Sequence, residues 1–274
     1  MLSQPRAGQL VIRAAAIALV VGILSPETGH TEEGSEDHAA GSQIAKHEGA
    51  GEMPLTAAEL GVGSVHGIDV SSHQGAVDWG HWWRSGKRFA YVKATEGTGY
   101  RNPNFTGQYT GSAAAGMTRG SYHFALPNRS DGASQARFFV QNGGGWSRDG
   151  RTLPGTLDIE YNPYGGDTCY GLGHGAMVGW IRSFSDTYHA LTKRWPVIYT
   201  SPVIYTSVLW WDRCTGRTGD FSSTNALWLA RYAPSVGPMP YRWPFHTIWQ
   251  YTSSPIDQNV FNGGADRLAA LASG

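Results

Sequence analysis

Leu157-Asp158-Ile159-Glu160 places two carboxylates two residues apart, closing the apolar run Thr152-Leu153-Pro154-Gly155-Thr156-Leu157. Side chains of a β-strand alternate with a period of two, so in a strand Asp158 and Glu160 project from one face about 6.5 Å apart. Two acids held that close cannot both ionise freely. One is pushed to a raised pKa and can donate a proton near neutral pH. Hydrolysis of a glycosidic bond calls for such a pair. The competing reading is two solvated or ion-paired residues opening a loop, and a short acidic motif taken alone does not choose between the two.

Elements able to position that pair follow from residue 65 onward. Short β-rich runs cover 65–70, 89–94, 120–125, 155–160, 196–200, 226–232, 247–251 and 256–261. Helical stretches are expected over 78–84, 104–115, 132–141 and 175–191. Alternation of strand and helix predicts a parallel sheet, and eight strands predict an irregular TIM-like (β/α) barrel. The connections 232–247 and 251–256 are too short for full helices, so the last strands lack them. Barrel chemistry sits at the C-terminal strand ends. Asp69 ends the first strand, Asp158 and Glu160 the fourth, and Tyr199 the fifth; Trp228 and Arg231 lie on the sixth, Trp249 and Gln250 on the seventh, and Asp257 opens the eighth.

Twenty-one basic and 21 acidic side chains leave no net charge to draw in nucleic acid or an anionic membrane. Eleven Trp and thirteen Tyr supply flat apolar faces with polar tips, which suit a sugar ring as well as a core. Arg6 and Arg13 with the apolar stretch 14–24 have the form of a secretory signal over residues 1–25, too short to span a bilayer. No clean cleavage site follows, and an uncleaved anchor stays open. Residues 26–64 are polar, without strand alternation or a sustained helical stripe, and are expected to be a flexible leader; 65–274 form the barrel domain. Cys169 and Cys214, the only cysteines, are expected to pair in an exported protein, closing a loop worth about 4 kcal/mol on the chain-entropy argument. Two free buried thiols are the alternative.

The motifs together resemble glycoside hydrolase family 25, the N,O-diacetylmuramidase type of lysozyme. They are Gly67-Ile68-Asp69-Val70-Ser71-Ser72-His73-Gln74-Gly75, Val92-Lys93-Ala94-Thr95-Glu96-Gly97, Gly120-Ser121-Tyr122-His123-Phe124, Leu157-Asp158-Ile159-Glu160, Val197-Ile198-Tyr199-Thr200, Leu227-Trp228-Leu229-Ala230-Arg231-Tyr232, Trp249-Gln250-Tyr251 and Ile256-Asp257-Gln258-Asn259. The resemblance implies a flattened β/α barrel that cleaves the β-1,4 bond between N-acetylmuramic acid and N-acetylglucosamine in peptidoglycan. It makes Glu160 the general acid and Asp158 its partner, with Asp69 and Asp257 completing an acidic bowl.

Two treatments of the anomeric centre stay open: attack by a carboxylate, or attack by the substrate's own 2-acetamido oxygen with Asp158 orienting the acetamido N–H. Substrate assistance is preferred, because Asp-x-Glu arrangements recur in such enzymes. Asp69 and Asp257 could instead cap turns. Tyr122, Phe124, Tyr199, Trp228, Arg231, Trp249 and Gln250 are candidate substrate-binding residues, and barrel packing is the competing role of the aromatic ones. His73 and His123 read as structural histidines. There is no His-Glu-x-x-His run, cysteine cluster or Gly-x-Ser-x-Gly elbow, so neither metal nor cofactor is expected. Rival readings are a non-catalytic cell-wall binder and a chitin-type hydrolase. A secreted, extracellular monomer with peptidoglycan strands as partner and no stable membrane association is expected.

Overall fold

A computed structural model describes Met1, residues 37–49, Gly61, residues 63–201 and residues 210–274. The signal expected over 1–25 lies, apart from Met1, outside the described residues. No helix among the described residues is long and apolar enough to cross a membrane.

Eight strands close a barrel: β1 (Val65–Val70), β2 (Lys87–Glu96), β4 (Thr118–Phe124), β5 (Thr156–Asp158), β6 (Val197–Thr200), β7 (Leu227–Ala230), β8 (Ile248–Thr252) and β9 (Gln258–Phe261), with the two-residue β3 (Tyr100–Arg101) hooked antiparallel onto β2. Neighbours from β1 round to β8 run parallel, and β1 pairs directly with β2. The parallel order expected from strand and helix alternation ends at β9, which is antiparallel to both β8 and β1, at the C-terminal end where the barrel was expected to be irregular. The stretch between Thr252 and Gln258 is too short for a parallel crossover, which takes a dozen or more residues, so the chain turns straight back.

Helices cover the outside of the first strands. Helix α2 (Trp79–Arg84) starts at Asp78, whose carboxylate accepts the His81 N–H at 2.8 Å, and α4 (Gly132–Phe139) starts at Asp131, which accepts from Ser134 N at 2.8 Å. Both are side-chain caps of orphan first-turn donors. Helix α3 (Phe105–Ala114) covers β2 and β4. The long α5 (His174–Thr192) buries Met177, Trp180, Ile181, Phe184 and Tyr188, the three-and-four spacing of one apolar stripe. Beyond β6 come the short α6 (Trp210–Thr215) and, after β9, α7 (Ala265–Ser273), while β7 to β8 is bridged without a helix.

Large aromatic rings fill the barrel. Trp228 sits at 4.7 Å from Tyr91, 4.9 Å from Tyr199 and 6.5 Å from Tyr122, centroid to centroid. Gly67 is required beneath them: a Cβ there would lie 2.6 Å from the Phe89 ring on the paired strand.

The leader differs from its expectation at its centre. Residues 42–48 form a helix, α1 (Ser42–Glu48), in which Ile44 is buried along with the preceding Ala40. Seven residues make too few turns to print a periodic stripe on the sequence, and a helix so short is held by tertiary contacts.

Candidate active site

The four acids singled out by the sequence converge at one end of the barrel. Asp158 is the last residue of β5, Glu160 lies two residues beyond it, Asp69 is next to last in β1, and Asp257 immediately precedes β9. Because β9 runs backwards, its start shares the rim with the C-terminal ends of the parallel strands. The Asp69 N–H donates to the Asp257 carbonyl at 3.2 Å, tying the two positions together. Asp69, Asp158 and Glu160 are fully buried and Asp257 is nearly so.

Asp69 is held by amides. Its Oδ1 accepts from Asn259 Nδ2 at 2.6 Å and from Gln250 Nε2 at 3.0 Å. Gln250 Oε1 in turn accepts the hydroxyls of Tyr199 and Tyr232, each at 2.6 Å, and Asn259 Oδ1 accepts Trp228 Nε1 at 2.8 Å. These donors lower the Asp69 pKa, yet burial outweighs them and pushes it up to about 7. Burial also raises Glu160 to about 7, opposed by backbone N–H groups of Ile44, Gly41 and Gln43 and by Asp158. Burial raises Asp158 well above the ordinary carboxylate range, and the Glu160 charge pushes it further. Asp257 moves in the same direction through burial and then the charges of Asp69 and Glu160. The bowl therefore stores protons at pH values where free carboxyls have lost them.

The candidate substrate residues divide. Register sets Phe124 and Tyr199 on either side of Asp158 on the inner face, and Tyr122, Trp228 and Gln250 also turn inward. Trp249 does not join them. It packs with Tyr251 and Val260 in a separate outer cluster, its Nε1 donating to the Arg231 carbonyl at 2.8 Å. Adjacent residues of a strand face opposite sides, so with Gln250 inside Trp249 must be outside. Arg231 lays its guanidinium against Gly237, where a Cβ would fall 1.4 Å from Nη1. The two histidines are hydrogen-bonded: His123 lies between Thr95 Oγ1 at 2.7 Å and Gln135 Oε1 at 2.9 Å, and His73 Nε2 meets the Asp37 carbonyl at 2.6 Å.

A second cluster lies at the end of β2, built around two residues that the sequence presents only as members of a motif. Lys93 Nζ, fully buried, meets Glu96 Oε2 and Asp37 Oδ1 at 2.6 Å each and the His38 carbonyl at 2.7 Å. Glu96 Oε1 contacts His38 Nδ1 at 2.8 Å and accepts the Tyr164 hydroxyl at 2.9 Å. The signal was present: two charges three residues apart inside an otherwise apolar strand must be paired if that strand is buried. Tyr232 and Asn259 were visible only as members of motifs.

Cys169 and Cys214 form the expected disulfide, with Cα atoms 5.3 Å apart, fastening the loop after β5 to α6. That loop carries Tyr161 and Tyr170, whose hydroxyls reach Glu48 Oε1 at 2.8 Å and the Ala125 carbonyl at 3.2 Å.

The sequence profile of Glycosyl hydrolases family 25 matches residues 68–260. "Lysozyme M1" of Streptomyces globisporus is 41% identical over 271 residues, 96% of this chain and 90% of that protein. "N,O-diacetylmuramidase" of Chalaropsis sp is 46% identical over 221 residues, 77% of this chain and all of that one. Among solved structures, a muramidase from Acremonium alcalophilum is 52% identical with a TM-score of 0.72, covering 76% of this chain and 99% of its own. A family GH25 lysozyme from Aspergillus fumigatus is 48% identical with a TM-score of 0.73, covering 77% of this chain and 100% of its own. A profile that spans the barrel, and relatives matched over nearly their whole length, place this protein in glycoside hydrolase family 25 as a glycoside hydrolase.

Proposed function

We propose that the protein is an exported lysozyme that hydrolyses the β-1,4 bond between N-acetylmuramic acid and N-acetylglucosamine in peptidoglycan, with retention of configuration and with the substrate's acetamido group as nucleophile. The observation that carries this reading is the shared burial of Asp158 and Glu160, two residues apart and both raised by desolvation, with Asp158 pushed further up by the Glu160 charge, amid Asp69 and Asp257. The names lysozyme and N,O-diacetylmuramidase on its relatives support the substrate class.

Glu160, protonated, donates to the glycosidic oxygen as the bond to C1 breaks. Asp158 accepts a hydrogen bond from the 2-acetamido N–H, which turns the carbonyl oxygen towards C1 and stabilises the positive charge as an oxazolinium ring closes. The Glu160 carboxylate then takes a proton from water, whose oxygen attacks C1 and reopens the ring. Two inversions give retention. Asp69, fixed by Gln250 and Asn259, orients Asp158 or shares its proton, and Asp257 lies where it can bind a sugar hydroxyl or position the water. Tyr122, Phe124 and Tyr199 form walls for the ring. Residues 1–25 serve export, and the protein acts as a monomer on extracellular glycan.

Digestion of purified peptidoglycan, with fragments identified by mass and the anomer of fresh product recorded before mutarotation, tests this reading. New reducing ends on muramic acid with the β configuration are expected, and Glu160→Gln should abolish them while binding to cell walls persists. Release from chitin alone, or tight binding without release by the wild type, overturns it.

A further inference from the structure

Three backbone N–H groups converge on the carboxylate assigned as proton donor, and none belongs to the barrel. Gly41 N donates to Glu160 Oε1 at 2.8 Å, and Gln43 N and Ile44 N donate to Oε2 at 2.9 and 2.8 Å. Around them Ala40 N reaches the Tyr122 hydroxyl at 3.2 Å, and Gln250 Nε2 reaches the Ala40 carbonyl at 3.3 Å. The segment is anchored on both sides. Asp37 and His38 join Lys93 and Glu96, the Asp37 carboxylate also accepting Ser72 N at 2.8 Å, while at the far end Glu48 accepts the Tyr161 hydroxyl and His47 stacks on the Tyr161 ring at 4.3 Å.

We infer that residues 37–48 are an autoinhibitory plug seated in the catalytic bowl, which must leave before glycan can enter. The inference rests on the hydrolase reading of the same bowl. The segment covers the groups a sugar would need: Glu160, Tyr122 and Gln250 are all engaged by its backbone. Its three donors also favour the ionised form of Glu160, the form that cannot protonate a leaving group. The family profile begins only at residue 68, so the segment lies outside the part of the chain that defines the family. Fit is close: Gly41 has φ +81°, and a Cβ on it would fall 2.1 Å from the Tyr232 hydroxyl and 2.4 Å from that of Tyr199. A plug seated about 99% of the time leaves about 1% of molecules competent and weakens apparent substrate affinity about 100-fold.

Gly41→Val in the full chain expels the plug without touching the barrel, and Ile44→Lys does the same by placing a charge at a buried position. On soluble peptidoglycan fragments both variants should lower apparent KM by roughly 10- to 100-fold with kcat unchanged, as removal of an intramolecular competitor requires. In parallel, hydrogen exchange should find the amides of Gly41, Gln43 and Ile44 protected in the wild type and unprotected in the variants. Equal KM in wild type and variants, or amides already unprotected in the wild type, overturns the plug and leaves the hydrolase reading standing. Inactivity of all three chains removes the hydrolase reading and the plug's role with it.

Discussion

Two groups of buried charge share the rim of this barrel and are governed in opposite ways. At the end of β2, Lys93 supplies a cation between Glu96 and Asp37. Burial would raise both carboxyls, but His38 and Lys93 hold Glu96 below its ordinary pKa, and Lys93 does the same for Asp37. Across the bowl, Asp69, Asp158, Glu160 and Asp257 meet chiefly one another and neutral donors, and all four are raised. Burial is common to both groups, so burial alone does not make a proton donor. The absence of a paired cation does, because a desolvated carboxyl lowers its free energy either by pairing or by keeping its proton.

Asp158→Asn tests the uncompensated side most severely. It should cost about 10²- to 10⁴-fold in kcat, the usual scale of a lost proton-handling partner, with wall binding intact. Added azide should not restore turnover, since no enzyme-linked ester needs rescue; strong rescue would make a carboxylate the nucleophile. On the compensated side Lys93→Met leaves the Glu96 carboxylate buried beside a methyl group, and denaturant unfolding should register a loss of about 3–5 kcal/mol. Combining it with both Glu96→Gln and Asp37→Asn, which neutralises the two carboxylates that Lys93 pairs, should recover most of that loss, and failure to recover would mean that Lys93 acts other than by compensating charge.

Asp69→Asn sharpens the contrast through pH. The folded pKa of about 7 exceeds the unfolded value of 3.8, so the native state binds the extra proton between them. Its stabilising contribution is complete below the unfolded value and is lost as pH rises through about 7. The variant should melt above the wild type near pH 8 by a few degrees, at roughly 2–4 °C per kcal/mol, with the difference closing near pH 4. A pH-independent difference would show that Asp69 holds no such proton. The smallest effect is expected at Trp249, outside the barrel: Trp249→Leu should leave kcat and KM within about twofold, whereas a large rise in KM would return it to the substrate path.

Much of this site was legible along the chain. The spacing of Asp158 and Glu160 needed only the period of a strand, and eight β-rich runs with Gly-rich breaks implied closure into a barrel. The reversal of β9 was less legible, because a short strand reads the same in either direction, although the brevity of its link to β8 carried the hint. Placing Trp249 beside Gln250 in one cleft conflicted with strand alternation that the sequence already contained. Lys93 and Glu96 were equally readable as a pair, since two charges cannot be buried separately. Segment 37–48 left no signature: its helix is shorter than two full turns of repeat, and the partner that stabilises it, Glu160, lies far away in sequence.

The sequence by itself determined which residues have the chemistry, roughly where the strands lie, and that Asp158 and Glu160 follow one another closely at a strand end, because those are properties of local geometry; the strand limits were not among them, since β5 stops at Asp158 and leaves Glu160 beyond it. Which carboxyls keep a proton, which aromatic rings meet the bowl, and what covers Glu160 were decided only by the tertiary structure. Proton affinity depends on the distance to other charges and on the exclusion of water, and both are set when strands remote in sequence close the barrel.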